Sequence, residues 1–343
     1  MNTKESSDRS SDDDLDWLAS KHDGFGQITQ SAEFRNLGET SDHYSVNETW
    51  WFEASVPERG LSASFYISMR PNLGICSAGS WMWSGHKNPQ ILADHLNFQL
   101  YLPEPRFSGS TISVPEVGLE FEIVKPFELI YIRYNPPGMD VSAELTVRGH
   151  FHPVMRSNEK HFEQATWTKG WIEIDGDRIQ VDGPSFRDRS WGEPRGEQHL
   201  AHPPIGWLYG VVGNGEAAFN LSGGDDPSGD VVWSGAYPQT REDLFFDGWV
   251  MRKNKLKKIV SMSKHTERDP LNRLAPKKIL VDFMDDDGDQ HRLEGIVRTS
   301  FNMHFWPNLN SWFGLTDWRL DDLSGYGGCQ DYAWPDYCKR FWK

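Results

Sequence analysis

From His43 onward the chain alternates apolar and polar residues with a period of two. Leu61, Ala63, Phe65, Ile67 and Met69 fall on one side of an extended segment, with Ser62, Ser64, Tyr66 and Ser68 on the other. Leu96, Phe98, Leu100 and Leu102 repeat the pattern, as do Leu119, Phe121 and Ile123, the run from Leu129 to Tyr134, and Val141, Ala143, Leu145 and Val147. Helical spacing is nearly absent here. Clusters such as Asn135-Pro136-Pro137-Gly138 punctuate the runs, so an antiparallel sheet is the simplest product. After His150 a second series begins with Trp171-Ile172-Glu173-Ile174, a hairpin signal at Asp175-Gly176, and Ile179-Gln180-Val181. Further strands are expected over 207–212, 216–221, 278–283 and 291–297.

So many short strands are hard to protect in one open sheet, whereas closure removes exposed edges. The expectation is therefore an all-β protein of two consecutive antiparallel barrels with few short helices. The first would span residues 31–165 and the second 166–343, with the change near Met155 to Lys169. Residues 1–30 read as a disordered or short helical segment, with Ser11 and Asp14 able to cap a helix carrying Leu15, Trp17 and Leu18. The aromatic stretch from Asp331 to Trp342 reads as a hook over a barrel mouth or the seam between the halves.

At 343 residues the chain is long enough for two domains. A formal net charge of −15 argues against nucleic acid as a partner. The basic stretch from Arg252 to Lys258 alternates with apolar residues as a solvated hairpin would. Cys76, Cys329 and Cys338 form no disulfide framework and no close metal-binding pair, which suits a reducing, cytoplasmic setting. The beginning of the sequence, MNTKESSDRSSDDDLDW, has no secretory apolar run, and no stretch reads as a membrane span, so stable membrane insertion is not expected. A homodimer stays open. The acidic run from Asp285 to Asp289 lacks the spacing of a calcium loop and reads as a turn, as does Gly213-Asn214-Gly215. Neither a metal nor a cofactor is implied.

One stretch departs from strand composition: Ser185-Phe186-Arg187-Asp188-Arg189-Ser190-Trp191-Gly192-Glu193-Pro194-Arg195. It crowds arginine forks, a carboxylate and an aromatic ring beside residues that constrain the backbone. It could be a salt-bridged corner or the wall of a pocket. Together with His161-Phe162-Glu163-Gln164 and the Gly170 to Gly176 hairpin it resembles the carotenoid hydratase and AttH-like superfamily of double-lipocalin proteins, with a weaker echo at Gly325-Tyr326-Gly327-Gly328. Glu193 before Pro194 departs from the usual motif. The resemblance implies two lipocalin-like barrels and an apolar cavity in which some relatives hydrate isolated alkenes and others assist cyclisation or isomerisation.

The expected function is thus a cofactor-independent hydratase, dehydratase or isomerase acting on a hydrophobic alkene, alcohol, terpenoid or steroid-like molecule. A non-catalytic carrier of hydrophobic ligands is the alternative, and an interaction scaffold a third. Proton transfer needs an acid and a base, for which His161, Glu163 and Asp188 are the central candidates, with Arg187 and Arg195 biasing ionisation. Each has a plainer reading: His161 as a hydrogen bond at the seam, Glu163 as an arginine partner, Asp188 as an ionised carboxylate between arginines. Trp50, Trp81, Trp83, His86, Trp191, Trp207 and Tyr209 are candidates to line the cavity, although any one aromatic residue also suits a core. His95 is a weaker candidate base.

Overall fold

The computed structural model describes residues 25–36, 38, 41–195, 202–227, 237–240, 242–272, 274–304 and 308–341. The helix expected around Ser11 to Leu18 lies outside them. In chain order the strands are β1 (Val46–Val56), β2 (Leu61–Arg70), β3 (Ile75–Ser84), β4 (His86–Lys87), β5 (His95–Pro103), β6 (Arg106–Ser108) and β7 (Thr111–Val114). Next come β8 (Leu119–Lys125), β9 (Leu129–Tyr134), β10 (Val141–Gly149), β11 (Val154–Met155), β12 (His161–Ile174) and β13 (Asp177–Pro194). The remainder are β14 (Ile205–Val212), β15 (Ala217–Gly224), β16 (Phe245–Arg252), β17 (Lys255–Asp269), β18 (Ala275–Asp285), β19 (Gln290–Met303), β20 (Asn310–Leu320) and β21 (Leu323–Ala333), followed by the helix α1 (Pro335–Phe341).

The first sheet runs β5-β3-β2-β1-β13-β12-β10-β9-β8-β7-β6, a half-barrel with β5 and β6 as its edges and β11 beside β12. The second closes into an eight-stranded barrel from β14 to β21, because β18 pairs with β19. β4, sent across from the first half, pairs in parallel with Ser300 and Phe301 of β19, beyond the residues that β18 occupies. Two lipocalin-like barrels are thus the architecture. The sequence-derived division at 165/166 falls inside β12, an unbroken 14-residue strand. The change of sheet comes between Pro194 and Ile205.

Period-two alternation accounts for the cores. Phe52, Phe65, Ile67, Phe121, Ile132 and Leu145 pack inside the first curl; Leu208, Phe219, Leu221, Ile279, Leu293 and Trp318 pack inside the second. A third apolar cluster lies between the two sheets, with Trp51, Trp81, Trp83, Phe186, Trp207 and Phe313 among its members. Both faces of β1 to β3 are consequently buried, and the Ser62-Ser64-Tyr66-Ser68 side is an interface, with Ser62 and Ser64 at 0% exposure. The expected single row Leu96-Phe98-Leu100-Leu102 does not exist. The pairing of β3 with β5 slips between Cys76 and Ala78 and Tyr101 takes φ +60°, so Leu102 enters the first core while Leu96 and Phe98 pack against the inter-sheet cluster and Leu100 is half exposed.

Charged groups close the open ends. Arg187 pairs with Glu33, and Arg189 pairs with Glu48 at 2.5 Å while stacking on Trp50 at 3.9 Å. At the second barrel, Lys264, Asp225, Arg268 and Asp331 form a buried ionic network, and Arg268 lies over the ring of Tyr337 in α1. The C-terminal aromatic stretch is therefore partly strand and partly helix.

Candidate active site

The register brings five strands side by side in the order β12-β13-β1-β2-β3, and with them two rows of side chains on the face toward the second barrel. One row is His161, Ser190, Thr49, Ser68 and Ser77. The next is Glu163, Asp188, Trp51, Tyr66 and Gly79, continued by Phe98. Beyond His161 the first row is short hydroxyl side chains, which leave depth; the second carries large rings beside it. Facing them, Ser222, Trp207, Gln330 and Phe313 make a row on the second barrel, and Ile205 and Tyr332 lie two residues along. The two faces border a half-open cavity of about 550 Å³. It lies between the sheets, outside the apolar cores of the two curls.

Asp188 and His161 both line this cavity. Asp188 is half-buried, and loss of solvation pushes its carboxyl up from the ordinary value, against the opposing pull of His161 and Arg195. Glu163 stands behind, fully buried. Burial would raise its carboxyl, but Arg156 and His161 overcome that and hold it at about 2. Arg156 Nε donates to Glu163 Oε1 at 2.8 Å and reaches Asp247 of β16 at 3.6 Å, tying the two sheets together. His161 Nε2 lies 2.9 Å from Glu163 Oε1, at ion-pair distance but without hydrogen-bond alignment. His161 and Asp188 are diagonal neighbours on paired strands, about 7 Å apart at the backbone. Among the described residues, the indole N–H groups of Trp51 and Trp207 in the cavity wall are buried with no hydrogen-bond partner.

The remaining predicted site residues divide by strand face. Trp81 and Trp207 line the cavity. Trp83 is in the same inter-sheet cluster but stacks on Phe301, and Tyr209 donates its hydroxyl to Glu53 while packing on Trp51 and Trp207. Arg187 and Trp50 point to the other side of their strands, into the end of the first curl, and Trp191 packs against Phe162 beneath Arg189. His86 bonds Ser300 Oγ at 2.9 Å and belongs to β4, the strap that crosses to the second sheet. His95 bonds the Tyr134 hydroxyl, and burial takes its imidazole down to about 4. Not foreseen were Tyr66, Arg70, Arg156, Gln330 and Tyr332. One signal was available for Tyr66: the polar face of β2 carries serines and no charge before Arg70, unlike a solvated face. Among the described residues no group of histidine, cysteine and carboxylate side chains could hold a metal ion.

A half-barrel and a closed barrel, packed face to face around an inter-sheet cavity, define a double-lipocalin fold. A sequence profile described as a domain of unknown function, DUF7064, matches residues 34–336, and the chain belongs to that family. Similar solved structures include kievitone hydratase from Nectria haematococca, with 10% identity over 85% of this chain and 90% of that one and a TM-score of 0.55. A putative AttH from Nitrosomonas europaea has 10% identity over 84% and 93%, with a TM-score of 0.53. CghA in complex with Sch210972 has 10% identity over 91% and 97%, with a TM-score of 0.53. No curated protein sequence matches the chain.

Proposed function

We propose that this protein is a cofactor-independent acid–base enzyme, a hydratase or dehydratase, acting on a hydrophobic small molecule held between the two sheets. The observation that carries the reading is the pair Asp188 and His161 facing one cavity: loss of solvation shifts Asp188 toward the protonated form that an acid needs, and the Glu163 carboxylate lies against His161. In the dehydration direction Asp188 gives its proton to the departing hydroxyl, and His161 removes the proton from the neighbouring carbon. Hydration runs the same transfers backward: the Asp188 carboxylate takes a proton from the attacking water as the His161 imidazolium returns one to the neighbouring alkene carbon. The diagonal spacing leaves room for one carbon–carbon unit between acid and base. Glu163 holds the histidine and offsets the positive charge it gains. Trp51, Trp81, Trp207 and Phe313 exclude water and hold the apolar body of the substrate. The name of kievitone hydratase, a protein of the same fold, supports the reaction class.

The test is incubation with a panel of hydrophobic alkenes and alcohols, read by a mass change of one water. Asp188→Asn and His161→Gln should each lower kcat by roughly 100-fold or more while the folded variants still bind ligand. The alkaline fall of kcat/KM that comes from ionisation of Asp188 should be absent from whatever activity Asp188→Asn retains. Tight stoichiometric binding with no product across the panel would mean a carrier, and full turnover in both variants would remove these residues from the chemistry.

A further inference from the structure

Among the described residues that line the cavity Asp188 is the one carboxylate, while three arginines, Arg70, Arg156 and Arg195, line it too. Arg156 is engaged by Glu163 and Asp247. The other two converge on one end. β2 and β13 flank β1, and the Arg70 guanidinium and the Arg195 backbone N–H both donate to the carbonyl of Ser45, at 3.2 and 2.9 Å. Arg195 Nη2 is fastened to Ser190 Oγ at 2.7 Å, and Ser190 in turn shares a hydrogen bond with Thr49. Among the described residues Ser190 is the single hydrogen-bond partner of the Arg195 guanidinium, a group with five N–H donors. Tyr66 and Tyr332 stand within electrostatic reach of Arg195 and Asp188. In a chain of net charge −15 this is an uneven allotment. A guanidinium partly withdrawn from water beside an apolar wall, as that of Arg195 is, costs free energy unless an anion returns it.

We infer that Arg70 and Arg195 form a subsite for an anionic oxygen group on the ligand, a carboxylate or an ionised enol or phenol, whose apolar body extends along Trp51, Trp81, Trp207 and Phe313. The inference rests on the cavity being the ligand site, as in the function proposed above, and adds that the preferred ligand is an amphiphilic acid. A planar guanidinium suits such a group because it offers two parallel donors. Arg195 directly follows β13, which carries Asp188 toward the aromatic side, so an acid anchored on the arginines presents carbons further along its skeleton to Asp188 and His161.

Binding alone tests this, without turnover. Three aromatic carboxylic acids of one, two and four fused rings and their methyl esters are titrated against the full-length protein, read by tryptophan fluorescence and calorimetry. At least one acid should bind ten-fold or more tightly than its ester, and added salt should narrow the difference. Arg195→Met should weaken that acid at least ten-fold and leave the ester unchanged, and Arg195→Lys should restore part of the loss. Equal binding of acid and ester, no binding by any of the six, or equal losses for both in Arg195→Met would overturn the subsite. Acid-selective binding with no turnover of any substrate would retain it and overturn the hydratase reading; turnover of neutral alkenes without acid preference would do the reverse.

Discussion

Glu53 shows what a buried carboxylate does when no cation accompanies it. It faces the seam, takes the Tyr209 hydroxyl and lies 3.2 Å from that of Ser55, and burial raises it from 4.5 to about 7. The folded protein therefore keeps a proton that the unfolded chain gives up above pH 4.5. Stability should fall as pH rises from there to about 7 and level off above, by a total on the order of 3 kcal/mol from this group. Glu53→Gln does not ionise, so the difference in urea-unfolding free energy between variant and wild type should rise across that window. A flat difference would show that Glu53 is ionised in the fold throughout. The arginine-rich stretch carries a related lesson. From the sequence, Arg187, Asp188 and Arg189 are one polar group; on a strand, neighbours point to opposite faces. Asp188 goes to the cavity, whereas both arginines turn inward to Glu33 and Glu48, partners 154 and 141 residues away. Residue type was legible, while the direction of each side chain depended on the pairing of β13 with β1 and β12.

At the scale of elements, strand alternation is the part that the sequence carries most fully, and the corners carry a repeat. Pro57-Glu58-Arg59-Gly60, Pro71-Asn72-Leu73-Gly74 and Pro115-Glu116-Val117-Gly118 share one geometry, in which proline opens a single 3₁₀ turn and glycine ends it in the left-handed region. They differ in their surroundings. A Cβ at Gly74 would meet nothing within 4 Å, but at Gly118 it would lie 2.0 Å from the carbonyl oxygen of Asn135. Gly74→Ala should therefore cost about 1 kcal/mol of backbone strain. Gly118→Ala, which must also displace the β9–β10 connection, should cost several times more, on the order of 3 kcal/mol or above. Equilibrium unfolding of both variants gives the comparison, and equal costs would place the constraint in φ alone. The slip between β3 and β5 was illegible for a definite reason. Leu96, Phe98, Leu100 and Leu102 keep perfect alternation, and only the left-handed Tyr101 changes which side Leu102 takes.

For the whole molecule the decisive surface is the one between the sheets. Most of its large aromatic residues were visible in the sequence as strand positions, yet nothing in a period-two pattern tells a barrel interior from a second, outward-facing contact. The two halves hold each other by this face, by Arg156 bridging Glu163 and Asp247, and by Tyr209 on Glu53. Residues 202–343 produced alone should consequently bind hydrophobic dyes and self-associate, since Trp207, Trp249 and Phe313 would be uncovered. A monomeric, dye-silent fragment would show that the second barrel does not need its partner. The short strand β4 adds an order in time. His86 meets Ser300 across 214 residues of chain, so on a ribosome adding about 5–20 residues per second the strap waits on the order of 10–40 s for its docking edge. During that delay Trp81 and Trp83, just upstream, have been synthesised and have no second barrel to cover them. Nascent chains of this protein thus pass through a window in which chaperone capture competes with completion, and the window closes only when the strands of the second barrel have been synthesised.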